Sequence, residues 1–189
     1  MSIVLASGSP RRSQLLTDSG FTFTIIKPDV DESFGSDIPV DEVPLMLANK
    51  KMAVAKTMCH PEDIIITADT VVILEATIIG KPKDRADAIA ILNALSGKVH
   101  TVVSGVCIAK GERQYDIDVS TKVHFAVLTA SEIAFYVDTY KPYDKAGAYA
   151  IQEWIGINKI MRIEGDYYNV VGFPMSKIFP VLSVLTSEP

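Results

Sequence analysis

Apolar and polar positions along the chain switch repeatedly between an alternating and a helical period, and the switches outline strands and helices in turn. Residues 3–6, Ile-Val-Leu-Ala, form an unbroken apolar run of the kind found in strands covered on both faces. Ser9-Pro10 then supplies an N-cap and a proline at the first helical position, which predicts a helix over 10–19 closed by Gly20. Residues 21–26 alternate aromatic or β-branched residues with threonine, a second strand, so the chain opens as β-α-β. Residues 27–39 are rich in Asp, Ser, Gly and Pro and read as a loop, one that holds the acidic trio Asp29, Asp31 and Glu32. Val43, Leu47, Ala48, Val54 and Ala55 recur at helical spacing and predict a second helix over 43–58.

Beyond this point, residues 64–68 and 71–74 read as strand runs separated by Asp69-Thr70. Asp84 can cap a helix reaching residue 95, and residues 98–109 and 113–128 predict two long strands joined near Gly111-Glu112 as a hairpin. Thr129 and Glu132 fit a capping box that opens a helix to residue 140. A Gly-, Ala- and Tyr-rich segment over 144–152 follows, then a strand over 159–163, a turn at Gly165-Asp166 and a last helix over 174–185. Alternating strands and helices with a central hairpin predict an α/β fold, a mixed twisted β-sheet flanked by helices. A length of 189 residues suits one domain spanning 1–189, built on one core or on one core with a small lobe.

Charge and composition narrow the function. A net charge of -5 argues against nucleic acid as a partner, whose nonspecific binding needs a basic surface, but leaves room for a small anion at a local cluster of cations. No apolar stretch approaches the ~18 residues of a membrane span, and Met1 leads directly into a strand pattern rather than a secretory leader, so a cytoplasmic location is expected. Cys59 and Cys107 stand far apart and predict neither a disulfide framework nor a zinc site, and His60, His100 and His124 lack metal-ligand spacing.

Five features carry candidate chemistry. From Ala6 to Arg12 a strand ends in small residues and a helix begins beneath two arginines; free N–H groups, the helix dipole, the hydroxyls of Ser7 and Ser9 and guanidinium forks all suit phosphate. The competing explanation is a capped helix with two solvated arginines, and no Walker loop is present. Asp69, flanked by apolar strand runs, is a candidate metal ligand or general base, or a carboxylate satisfied at a bulge. Glu32 with Asp31 could join Asp69 around a hard cation such as magnesium, or could be ordinary loop acids. Lys51 and Lys81 could neutralise phosphate, although a single lysine is usually solvated. Within 144–152 the small residues around Tyr149 and Gln152 would let a flat base reach an aromatic ring and an amide; a tightly packed helix is the alternative.

Taken together, Ser7-Gly8-Ser9-Pro10-Arg11-Arg12, Ala68-Asp69-Thr70-Val71-Val72, Gly80-Lys81-Pro82, Leu95-Ser96-Gly97-Lys98, Asp144-Lys145-Ala146-Gly147-Ala148-Tyr149 and the block from Gly165 to Pro174 occur in an order that resembles the Maf family. The resemblance implies hydrolysis of nucleoside triphosphates to monophosphate and pyrophosphate with a divalent cation, Mg2+ or Mn2+. It also implies a fold like that of inosine triphosphate pyrophosphatases, with a central cleft between two lobes. By the same resemblance Asp69 is the proton acceptor and, with Glu32, a metal ligand. Ser7, Ser9, Arg12, Lys51 and Lys81 bind phosphate, while Arg11, Thr70 and Gln152 set specificity. The 144–152 block is similar to the branch acting on dTTP and UTP, with modified pyrimidine triphosphates as further substrates. Ala126 and Ala150 depart from residues common in the family, an arginine and a glycine. The family association with septum formation supplies an alternative function, a nucleotide-binding regulator of cell division, and a homodimer is an expectation from the family alone.

Overall fold

The computed structural model describes residues 2–187. Its strands are β1 (Ile3–Ala6), β2 (Phe23–Ile26), β3 (Ile64–Leu74), β4 (Thr77–Ile79), β5 (Val99–Lys110), β6 (Arg113–Phe125) and β7 (Ile160–Glu164). Its α-helices are α1 (Pro10–Asp18), α2 (Val43–Met58), α3 (Arg85–Leu95), α4 (Ala130–Tyr140), α5 (Trp154–Lys159), α6 (Tyr167–Val171) and α7 (Met175–Ser187). The strands form a mixed seven-stranded sheet in the order β2-β1-β3-β5-β6-β7, with β4 paired to β3. Two compact units are defined: one runs up to Asp69 and adds Ser104–Val119 and the chain from Gly172 onward, the other comprises Thr70–Val103 and Ser120–Val171. The chain therefore changes unit inside β3, β5 and β6.

In the first unit β1 pairs parallel with both β2 and β3, aligning Ile3 with Phe23 and Ile64. Alternate side chains of these strands go to opposite faces. Leu5, Ile66 and Ile108 meet Leu16 of α1 and Ile178 and Leu182 of α7 on one face. Ala6, Ile65 and Cys107 meet Ala48, Met52 and Ala55 of α2 on the other. Coverage of both faces explains why β1 is apolar at every position.

Two local contacts fix α2 against its strands. Thr67 of β3 is fully buried and donates its hydroxyl to the carbonyl of Ala48 at 2.8 Å. Gly105 of β5 lies so close to the start of α2 that a Cβ there would be 2.2 Å from the Leu45 backbone nitrogen, a distance no side chain tolerates.

The second unit packs α3 and α4 onto Val72 and Leu74 of β3, Val102 of β5 and Val123 and Phe125 of β6. Both predicted caps form: the Asp87 amide donates to Asp84 at 2.9 Å, and Thr129 and Glu132 exchange the two bonds of a capping box. A buried aromatic cluster joins β5 and β6 to residue 149, where His100 Nε2 lies 2.7 Å from the Tyr149 hydroxyl and Phe125 stands edge-on to both rings.

Several elements differ from the sequence reading. β3 runs unbroken through Asp69 and Thr70, because a ladder of backbone bonds tolerates polar side chains that are only partly buried and have partners. Segment 144–152 is not a packed helix: Ala146–Ala148 forms a 3-10 turn in which Gly147 and Ala148 take positive φ. Tyr149 is not open to a flat ligand, since it is 6% exposed and held in the aromatic cluster. β4, α5 and α6 were not anticipated, being too short for a periodicity to register.

Burial lowers the His100 pKa to about 4, with His124 adding a repulsive contribution. A histidine held neutral in the fold binds fewer protons than in the unfolded chain between its two pKa values, so stability rises with pH across that window. The stability is complete above about pH 6.5 and declines as pH falls through 4, by up to about 3 kcal/mol. Glu132, held down to about 2 chiefly by Lys159, contributes its own loss only at lower pH. Urea midpoints measured from pH 7.5 to 5 should fall in the native protein, and His100→Asn should flatten that slope; an unchanged slope would remove His100 as its source.

Candidate active site

The end of β1 and the start of α1 build the first part of the site. Ser9 occupies the N-cap in extended conformation, but its side chain makes no capping bond, contrary to the capping role expected of it. The local order comes from Ser7 instead. Its buried hydroxyl accepts from the Ser9 amide at 3.3 Å and from Arg12 Nη1 at 3.1 Å, folding the loop back over the first turn of α1.

Arg12 is half-buried and ties three segments of the first unit together. Beside the bond to Ser7, Nη1 donates to the Ala68 carbonyl at 2.8 Å and Nε to the Gly172 carbonyl at 3.0 Å. Burial lowers its pKa to about 10, an effect opposed by the nearby charge of Asp69, so the guanidinium stays protonated at neutral pH. Arg12 is thus a clamp within the first unit, and its acceptors at Ala68 and Gly172 were invisible in the sequence because a carbonyl has no residue signature. Arg11 is half-buried one position earlier on α1, near enough for its charge to disfavour protonation of Arg12.

The second part is an acid–base cluster on β3, α2 and the loop after β2. Lys51 Nζ lies 2.6 Å from Asp69 Oδ1 and 2.7 Å from Glu32 Oε1. The side chains of Lys51 and Asp69 are 13% and 16% exposed and that of Glu32 is 55% exposed, so the cluster opens to solvent on the Glu32 side. Lys50 holds the Ser33 carbonyl at 2.7 Å, so consecutive lysines of α2 grip consecutive residues of the acidic loop. Asp31, grouped with Glu32 in the sequence reading, turns away: its carboxylate accepts from the amide and hydroxyl of Ser33, and those bonds hold its pKa below the ordinary value.

The arrangement can bind a polyanion and move a proton. Arg12 bonds to the carbonyl of the residue immediately before Asp69, so the phosphate loop and the carboxylate cluster meet at positions 68 and 69. Glu32 and Asp69 aim hard oxygen donors at one point, the position of the lysine ammonium. Among the described residues no group of three or more His, Cys, Asp or Glu side chains could enclose a metal. A two-carboxylate set fits Mg2+, which is usually bound through one or two carboxylates plus substrate phosphates.

Thr70, Lys81 and Gln152 belong to the second unit. Thr70 is half-buried on β3, Lys81 is exposed in the loop after β4, and Gln152 is exposed in the turn before α5. The Gly147 amide donates to the Gly80 carbonyl at 3.1 Å, which links the Lys81 loop to segment 144–152. A Cβ on Gly147 would lie 2.9 Å from the Val72 side chain, so glycine's positive φ and lack of a side chain are both used there.

A family model described as Maf-like protein matches residues 2–185. A dTTP/UTP pyrophosphatase of Bacteroides fragilis strain YCH46 is 47% identical over 184 residues, 97% of this chain and 95% of its own length. A dTTP/UTP pyrophosphatase of Bacteroides thetaiotaomicron is 41% identical over the same shares. The solved nucleoside-triphosphatase / dITP/XTP pyrophosphatase of Mycobacterium abscessus matches with a TM-score of 0.41 and 14% identity, covering 68% of this chain and 76% of that one, a likeness too low to support an argument.

Arg12→Lys retains the charge but cannot span the Ala68 and Gly172 carbonyls and the Ser7 hydroxyl. Leaving part-buried acceptors without a charged donor should cost about 1–3 kcal/mol of stability, read as a lower urea midpoint at constant slope. A variant as stable as the parent would show that the clamp contributes nothing.

Proposed function

The chain belongs to the Maf family, and on that premise we propose that it is a nucleoside triphosphate pyrophosphatase that hydrolyses dTTP and UTP, and modified pyrimidine triphosphates, to the monophosphate and pyrophosphate. The observation that carries the reading is the convergence at positions 68 and 69 of a cationic strand–helix loop with the Lys51–Asp69–Glu32 cluster. The names of the curated relatives agree with it.

In this reading Asp69 takes a proton from a water that attacks the α-phosphorus. A P–O bond forms at that phosphorus, the bond to the α–β bridging oxygen breaks, and pyrophosphate leaves with the electron pair. Arg12, Lys51, Lys81 and the α1 N-terminus with Ser7 and Ser9 neutralise charge on the phosphate oxygens, the contribution that positioning and electrostatics make to phosphoryl chemistry. Glu32 and Asp69 would hold Mg2+ or Mn2+, which when bound adds positive charge at the phosphates. Arg11, Thr70 and Gln152 select the base by family resemblance. The reading places the enzyme in the cytoplasm; among the described residues no helix is long and apolar enough to cross a membrane.

Asp69→Asn keeps the shape of the side chain and removes the base. Pyrophosphate release from UTP and dTTP should fall at least about 100-fold in a protein with parental circular dichroism, general-base contributions being of that order. Turnover at the parental rate would exclude Asp69 as the base, and a panel in which purine triphosphates outrun both pyrimidines would exclude the substrate assignment. Chelation of divalent cations should abolish turnover of the unmodified protein, with recovery on adding Mg2+ or Mn2+; full activity in excess chelator would reject the metal.

A further inference from the structure

Tyr136 of α4 is fully buried, is bonded at both of its polar valences and has no part in the chemistry above. Its hydroxyl donates to Glu153 Oε2 and accepts from the Ala150 amide at 3.1 Å. Ala150 and Glu153 are the two ends of one turn, which the Glu153 amide closes by donating to the Ala150 carbonyl at 3.1 Å. Gln152 is an exposed inner residue of that turn. A single hydroxyl therefore holds both ends of the turn that presents Gln152.

Three further contacts in the same unit stiffen this arrangement. Lys145, only 9% exposed, reaches Glu153 Oε1 at 3.5 Å from the opposite side of the carboxylate. A Cβ on Gly156 would lie 1.7 Å from the Ile151 carbonyl oxygen, so the middle of the turn rests directly on α5. Tyr149, immediately before the turn, is anchored to His100. Burial and the Glu153 carboxylate raise the Tyr136 pKa, which keeps the phenol a donor throughout the neutral range.

Rigidity matters for the chemistry of an amide. A glutamine side chain carries both a donor and an acceptor, and rotation about its last bond exchanges them. Left mobile, it can satisfy the imide edge of uracil or thymine or the amino-substituted edge of cytosine. Holding its backbone at one position and angle fixes where the amide can reach, and so which edge of the base it meets.

We propose that Tyr136, through its hydroxyl bonds to Ala150 and Glu153, is a positioning residue that sets the nucleobase preference of the Gln152 turn, an inference that rests on the reading of Gln152 as a base contact.

The test is Tyr136→Phe, which removes only the hydroxyl, with Glu153→Gln and Gln152→Ala measured beside it. For each, kcat and KM are determined with UTP, dTTP and CTP, together with inhibition by inorganic tripolyphosphate and the thermal midpoint. Tyr136→Phe should raise KM for UTP and dTTP at least fivefold with kcat within twofold, and should reduce the UTP-over-CTP ratio of kcat/KM at least fivefold. Tripolyphosphate inhibition should stay within twofold, since Ser7, Ser9, Arg12 and Lys51 belong to the other unit and, of the phosphate residues, Lys81 alone shares the unit of Tyr136. Glu153→Gln, which keeps an acceptor for the phenol and loses the charge facing Lys145, should fall between the parent and Tyr136→Phe. An unchanged UTP-over-CTP ratio in Tyr136→Phe, or an equal loss for nucleotides and tripolyphosphate, overturns the proposal while leaving the Gln152 reading intact if Gln152→Ala alters the ratio. A parental ratio in Gln152→Ala overturns both. If Tyr136→Phe does not fold, Glu153→Ala, which takes away the phenol's acceptor, decides by the same ratio, a parental value again overturning the proposal.

Discussion

The height at which α2 sits over β3 governs the acid–base cluster. Thr67 and Asp69 lie on the same face of β3, two residues apart, while Ala48 and Lys51 lie one turn apart on α2. The Thr67–Ala48 and Asp69–Lys51 bonds are therefore two rungs of one ladder between helix and strand. The lower rung is buried and neutral, and it fixes the helix; the upper rung is charged and open toward Glu32. Gly105 reinforces the lower rung by letting α2 approach β5 to a distance that any side chain would forbid. A displacement of one residue along α2, about 1.5 Å with a rotation of about 100°, would remove Lys51 from Asp69 and leave a part-buried carboxylate without its ammonium partner. The chemistry thus depends on a contact between a threonine and a backbone carbonyl that has no charge and touches no ligand.

Arg12 solves a related problem for the phosphate loop. Small residues after β1 let a ligand approach the backbone, but they also leave the loop without side chains to hold it. The guanidinium supplies that order from the far side by bonding to Ser7, Ala68 and Gly172 at once. Lysine could carry the same charge, but its donors radiate from one nitrogen, whereas the guanidinium donates from two separated nitrogens, Nε and Nη1. The same residue consequently links the loop to the strand position next to Asp69, so the order of the loop and the placement of that carboxylate are mechanically one feature of the first unit.

What was legible in the sequence follows from how much of the signal is local. The 43–58 helix, the Asp84 cap and the Thr129–Glu132 capping box appear as read, because periodicity and capping are short-range and each residue type has one dominant use. Asp69-Thr70 was read as a break because polarity along a strand reports side-chain environment, whereas the backbone ladder continues regardless. As adjacent loop acids Asp31 and Glu32 carry the same local signal, and the family resemblance alone singled out Glu32; the fold adds that one bonds to Ser33 and the other to Lys51. The small neighbours of Tyr149 left open either access for a flat base or a tightly packed helix. In the fold those small residues permit the positive φ values of Gly147 and Ala148, and the ring is turned inward onto His100. The role of Tyr136 left no trace in the sequence, since its partners are a main-chain amide and a glutamate seventeen positions away.

The two units organise their polar groups by different means, and under the proposed function the difference matches what each would contact. In the first, the working groups are charged and converge, which suits a polyphosphate whose affinity comes mainly from Coulomb attraction and tolerates small errors in position. In the second, the turn carrying Gln152 is held by a neutral hydroxyl, a close backbone contact at Gly156 and a buried aromatic pair, with Lys145 set behind Glu153 rather than exposed beside the amide. Discrimination between bases that differ in the direction of a hydrogen bond falls off steeply with misplacement, because an unmatched polar group costs more than a matched one contributes. A turn fixed by short, directional contacts meets that demand; a turn held by long-range charge would not, and an exposed cation at its tip would favour every triphosphate alike.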